Sequence, residues 1–200
     1  DLKDQQELAA HAPDRRRAIA STTKLMTAYL ALGELRMNDV LVVPKYDAAP
    51  AESVAGLTAG ERLTVHDLIV AMMLPSANDA AFTVADGVAG SEAAFVAEMN
   101  RAAADLDLTG THYANPIGLD AKGNYSTAED LSALAQDLLV RWRLAVPPAL
   151  VRHDHGQRRA LPAFRRHPAV AGQAPVGAEP GVGVDRARRL HLQDEQRSEE

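Results

Sequence analysis

Ser21 and Lys24 stand three residues apart in the run Ser21-Thr22-Thr23-Lys24. On a helix that spacing puts both side chains on one face, with β-carbons about 5–6 Å apart, so the amine can reach the hydroxyl. A serine hydroxyl is a poor nucleophile until a base takes its proton, and a lysine can be that base only when neutral, a state that desolvation or cationic neighbours promote. Leu25 and Met26 follow Lys24 in an apolar run, and Ser21 opens the helix, where exposed N–H groups favour developing negative charge. The same residues have an ordinary reading as a helix cap and a helix former, and SxxK arises about once by chance in a chain of this length. A second pair is Ser76 and Asn78, in Leu74-Pro75-Ser76-Ala77-Asn78-Asp79. Pro75 ends the preceding helix and frees the hydroxyl and carboxamide to face a substrate, and Asn78 offers an amide both donor and acceptor. Alone this is common loop chemistry. The two pairs together say more than either.

The elements that must position these residues are legible up to about Leu139. Leu25, Met26, Tyr29, Leu30 and Leu32 fall at helical spacing behind Ser21, predicting a helix over 21–32 that Gly33 stops. Val40 to Val43 reads as a short strand closed by Pro44. Thr64 with Asp67 predicts a capped start for a helix over 65–74, ended by Pro75. Further helices are expected over 77–88, from Ser91 to about Leu106, and from Thr127 through Leu131, Leu134, Leu138 and Leu139. Many helices and few strands, without alternating βα units, make an α+β body.

Composition narrows the function classes. The chain has 200 residues, 46% hydrophobic and 24% charged, which fits a globular domain and excludes collagen-like or disordered classes. It has no Cys, so disulfides, thiolate metal sites and a cysteine nucleophile are excluded. A net charge of -6 argues against nucleic acid as a partner, and no apolar run approaches a membrane span. No glycine-rich phosphate loop occurs, so no nucleotide cofactor is expected, and no cofactor or metal of any kind is assigned. The chain opens at Asp1 without a basic-then-apolar segment, and any export signal is expected to have been removed or left out.

With SxxK at Ser21 and SxN at Ser76, residues 1–139 resemble the low-molecular-mass penicillin-binding D-alanyl-D-alanine carboxypeptidases. The run IASTTKLMTAYLAL is similar to that family's nucleophile helix, GLTAGERLTVHDLIVAMMLPSANDAA to the lead-in to its SxN loop, and NPIGLD to its NPxGL turn. The resemblance implies a β-lactamase/DD-peptidase-like fold, a helical cluster plus an antiparallel sheet, here incomplete. It implies that Ser21 is the acylated nucleophile, that Lys24 activates it, that Ser76 relays a proton to the leaving nitrogen, and that Asn78 binds the substrate amide. The implied partners are peptidoglycan stem peptides ending in D-Ala-D-Ala, with β-lactams as acylating inhibitors, and the implied location is exported and cell-wall associated. Alternatives are a serine β-lactamase, disfavoured by Ser76-Ala77-Asn78 in place of SDN and by the lack of an ExxLN segment, and an inactive remnant.

The remnant reading rests on a missing third motif. The family expects Lys or His followed by Ser or Thr and Gly on an edge strand, and no such triplet follows Asn78. That strand would supply the cation for the substrate carboxylate and an oxyanion-hole N–H. Residues 140–200 also change character: they hold 11 basic residues, all Arg, against 7 acidic ones, whereas residues 1–139 hold 10 against 20. Six of the 11 Pro lie there, with no sustained period. We read an acidic catalytic domain over 1–139 and an Arg/Pro-rich tail over 140–200, out of frame or disordered, with a divergent tail as the competing account. His153, Asp154 and His155 are read as incidental rather than metal ligands, and Arg186, Arg188 and Arg189 as a solvated charge run. Asn115-Pro116 with Gly118 reads as a scaffold turn, Met72 and Met73 as core filling, and Asp79 as a helix cap.

Overall fold

The computed structural model describes residues 9–145. The His153 cluster, the three Arg of the charge run and nearly all of the 140–200 segment lie outside them. The order is a 3-10 turn Ala20–Thr23, helix α1 Lys24–Glu34, strands β1 Val40–Val42 and β2 Arg62–Thr64, then helices α2 Val65–Met73, α3 Asn78–Ala89, α4 Glu92–Asp105 and α5 Ala128–Ala145. The strands pair antiparallel, Val40 opposite Thr64 and Val42 opposite Arg62. This is the expected α+β body, helical with a small antiparallel sheet among the described residues.

Local chemistry sets most helix starts. Thr64 accepts a hydrogen bond from the Asp67 N–H at the head of α2, Ser91 from Ala94 at α4, and Thr127 from Asp130 at α5. Thr64→Ala is expected to cost about 1 kcal/mol. A fall in the urea midpoint with an unchanged m-value checks it.

Tertiary packing overrides the expected boundaries at α1. Ser21 does not begin an α-helix: it sits on the 3-10 turn, and Lys24 is the first α-helical residue. Gly33 does not stop the helix, which runs on to Glu34. A Cβ at Gly33 would lie 2.7 Å from Arg141 Nη1, so the glycine makes room for α5. Arg141 lies over the Tyr29 ring at 3.8 Å from its centroid and donates to its hydroxyl at 2.6 Å. That contact lies beyond Leu139, in a helix that continues to Ala145.

Helix α1 packs on α3, α4 and α5, and α2 packs on α3. Its buried face is Met26, Ala28, Tyr29 and Ala31. Across from it, α3 buries Ala80, Ala81, Val84 and Ala85 completely, small side chains that let the helix axes approach. Met72 is core as expected, but Met73 is 40% exposed, one position round the helix from the buried face. Strands β1 and β2 are joined by residues 43–61, a connection of 19 residues. Its length is unusual for a structureless loop, and such loops are usually functional.

Candidate active site

Ser21 is exposed, whereas Lys24, three residues on, is only 2% exposed. Lys24 Nζ lies 3.2 Å from Ser21 Oγ, 2.7 Å from Asn78 Oδ1 and 2.7 Å from the Ile117 carbonyl oxygen. An ammonium fills all three contacts as a donor. A neutral amine has two N–H groups and one lone pair. The two carbonyl oxygens can only accept, so they claim both N–H groups, and the lone pair is left facing the Ser21 hydroxyl. The arrangement therefore aims a neutral Lys24 amine at the Ser21 hydroxyl. Burial pulls the Lys24 pKa down to about 8, against an opposing pull from the negative charge of Glu52.

Asn78 is the first residue of α3, reaching Lys24 with Oδ1 while its Nδ2 donates to Glu52 at 2.9 Å. The Lys24 ammonium only donates and a carboxylate only accepts, so these partners fix which way the carboxamide points. Ser76, two residues earlier, takes a φ of +63°, and its Oγ is buried without a hydrogen-bond partner. Ala20, immediately before Ser21, also sits at positive φ, +44°. Non-glycine residues held there are strained, and such strain clusters at functional sites. Ser21, Lys24 and Asn78 are thus joined by direct hydrogen bonds, and Ser76 is bonded to none of them.

The Asn115 turn does more than the scaffold work expected of it. Asn115 Oδ1 accepts from Gly118 N at 2.7 Å and Leu119 N at 3.1 Å, closing the turn on itself. Helix α1 then grips it twice, Lys24 on the Ile117 carbonyl and Thr27 Oγ1 on the Pro116 carbonyl at 2.6 Å. Asp79 is corrected as well. It lies in the first turn of α3, but its carboxylate accepts from Ala55 N and Leu57 N, each at 2.9 Å, and so straps down the 43–61 connection. The Asn78 N–H donates to the Ser53 carbonyl at 2.7 Å in the same strap.

These segments enclose a pocket of about 320 Å³ whose walls include Ser21, Asn78, Glu52, Ser53, Ala51 and Leu119. Glu52 and Leu119 are additions that motif reading missed. The unpatterned length of residues 43–61 was the available signal for the first, and the turn signature around Asn115 for the second. Among the described residues no group of His, Asp or Glu could hold a metal ion.

A profile of the D-alanyl-D-alanine carboxypeptidase family matches residues 1–145. The chain is 36% identical over 131 residues to the D-alanyl-D-alanine carboxypeptidase DacF of Bacillus subtilis, covering 63% of this chain and 34% of that one. It is 33% identical over 182 residues to the D-alanyl-D-alanine carboxypeptidase DacB2 of Mycobacterium tuberculosis, covering 86% of this chain and 62% of the relative, so that alignment extends into the 140–200 segment. In structure it is similar to penicillin binding protein 6B from Escherichia coli, with a TM-score of 0.64 at 33% identity over 68% of this chain and 46% of that one. The chain spans between about a third and a half of the length of several curated relatives it matches. A serine and an inward-aimed lysine at the motif positions, the family match across the described fold and the shared architecture agree, and the chain belongs to the D-alanyl-D-alanine carboxypeptidase family.

Proposed function

We propose that this chain carries the acylating half of a serine-type D-Ala-D-Ala carboxypeptidase acting on peptidoglycan stem peptides. The observation that carries the reading is the Lys24 contact set, which leaves a neutral amine's lone pair facing Ser21 Oγ. At neutral pH a lysine with a pKa of about 8 is unprotonated in about a tenth of molecules, enough for a base. Lys24 takes the Ser21 proton as Oγ attacks the carbonyl carbon between the two D-alanines. The tetrahedral intermediate collapses with cleavage of the C–N bond. The leaving nitrogen receives a proton, relayed through Ser76, and the terminal D-alanine departs. Water then hydrolyses the Ser21 ester and restores the hydroxyl. Asn78 Nδ2 has a second N–H beyond the one given to Glu52, and that donor is assigned to the substrate amide carbonyl.

A peptidoglycan substrate supports an exported, cell-wall-associated location for the protein. Among the described residues no helix is long and apolar enough to cross a membrane. β-Lactams, whose ring amide imitates the scissile bond, acylate the same oxygen.

A fluorescent penicillin is expected to label the chain covalently, with the adduct on Ser21 by mass spectrometry, and to leave Ser21→Ala unlabelled. Labelling that persists in Ser21→Ala removes the assignment. Release of D-alanine from diacetyl-Lys-D-Ala-D-Ala separates a complete enzyme from a chain that stops at the acyl-enzyme. Rapid penicillin turnover in place of a lasting adduct reassigns it as a β-lactamase.

A further inference from the structure

Glu52 lies in the long β1–β2 connection, in a run no motif marks, yet it is bonded to the heart of the site. Its Oε1 accepts from Ala49 N at 2.9 Å. Its Oε2 accepts from the Tyr46 hydroxyl and from Asn78 Nδ2. The same Asn78 carboxamide accepts from Lys24 through its other end. The chain of contacts therefore runs Tyr46, Glu52, Asn78, Lys24, Ser21.

We propose that Glu52 is a positioning residue of this site, tethered by Tyr46 and Ala49, whose carboxylate orients the Asn78 carboxamide and, with its charge, conditions Lys24 for the attack by Ser21. The proposal rests on the acyl-enzyme reading above. A role as general base is disfavoured: hydrogen bonds from Tyr46, Asn78 and the Ala49 N–H, with the Lys24 charge, hold the Glu52 carboxyl below its ordinary range, which makes it a weak base and a good anchor. Tyr46 suits the tether. Burial, and then the Glu52 carboxylate, push its hydroxyl above the usual range, with Asp79 and Glu92 adding to the same effect, so it stays a donor. It also packs against Phe82 of α3, with ring centroids 5.2 Å apart. Of the charged groups around the amine, Glu52 is the one that opposes the effect of burial on Lys24.

The test follows penicillin acylation of the full chain from about pH 6 to 10, alongside the Lys24 titration by NMR with 13C-labelled lysine. The chain has four lysines, so the Lys24 resonance is assigned from its loss in Lys24→Arg. In Glu52→Gln the Lys24 midpoint is expected to move to lower pH, because the opposing anion is gone. The acylation plateau should fall about tenfold to a hundredfold, as for loss of a charged hydrogen bond. Tyr46→Phe keeps the charge, so the midpoint should stay; because the Ala49 N–H still holds Glu52 and the Asn78 bond is intact, the plateau should fall less than in Glu52→Gln, by about two- to tenfold. A Lys24 midpoint unmoved in Glu52→Gln overturns the proposal, as does equal damage by both variants with no shift. If the wild-type chain is not labelled at all, the acyl-enzyme reading fails, and the NMR midpoints still decide whether Glu52 acts on Lys24.

Discussion

Lys24→Arg is expected to slow acylation of Ser21 by about 10²–10⁴-fold, the range for loss of a general base, while the chain stays folded. Arginine keeps the positive charge and the capacity to donate to Asn78 and Ile117, but it cannot give up its proton. In the wild-type chain the acylation rate should climb with pH and level off above about 8, where the Lys24 amine is mostly neutral. None of His11, His66 and His112 is hydrogen-bonded to Ser21, so no limb near the histidine range is expected; His66 pairs with Asp67 and His112 with the Gly123 carbonyl. Stability carries the same signature. The folded-state value of Lys24 lies below the ordinary 10.5, so between about pH 8 and 10.5 the unfolded chain holds more protons than the folded one. Stability should rise with pH across that window, and the cost of the buried cation is fully present below it. Mass spectrometry of the Ser21 adduct and urea titrations at several pH values check the two halves. A Lys24→Arg chain that acylates at the wild-type rate refutes the assignment.

Gly118→Ala should be nearly as damaging, though it removes no functional group. Gly118 has a φ of +87°, and a Cβ there would stand 2.0 Å from the Ala20 carbonyl oxygen and 3.0 Å from Ser21 Cα. Both are backbone atoms and cannot swing aside. The Asn115 turn must back away, taking with it the Ile117 carbonyl that holds Lys24. A displacement near 1 Å in a reacting pair costs about a hundredfold, and overpacking and strain add about 1–3 kcal/mol of lost stability. Gly90→Ala is the matched control. Gly90 also has positive φ, +72°, but a Cβ there meets nothing within 4 Å, so it should cost about 1–2 kcal/mol and leave penicillin labelling intact. Equal labelling of the two variants would show that the turn does not position the nucleophile.

What the sequence discloses and what it hides divide by reach. The caps at Thr64, Ser91 and Thr127 were readable because each is a bond across three residues, written entirely in the local run. Ser21 with Lys24 was readable for the same reason. The stop at Gly33 was misread because the reason for that glycine, Arg141, lies more than a hundred positions away. Strand β2 went unseen because Arg62–Thr64 is too short to show alternation and exists by pairing with β1. Glu52 and the Asn115 turn gain their roles from contacts no local pattern encodes. Asp79 stands where a cap would, and besides the adjacent Ala80 N–H it bonds to a loop more than twenty residues back.

The reach of the Lys24 contacts has a kinetic side. Its two short bonds join residues 54 and 93 positions apart, and both close only when α1, α3 and the Asn115 turn have come together. Closing such separations is slow compared with helix formation, which proceeds in about a microsecond. During refolding, far-ultraviolet circular dichroism should therefore recover first. Reactivity toward penicillin should return only with the last long-range closure, so the covalent label times the completion of folding at one chemically defined point.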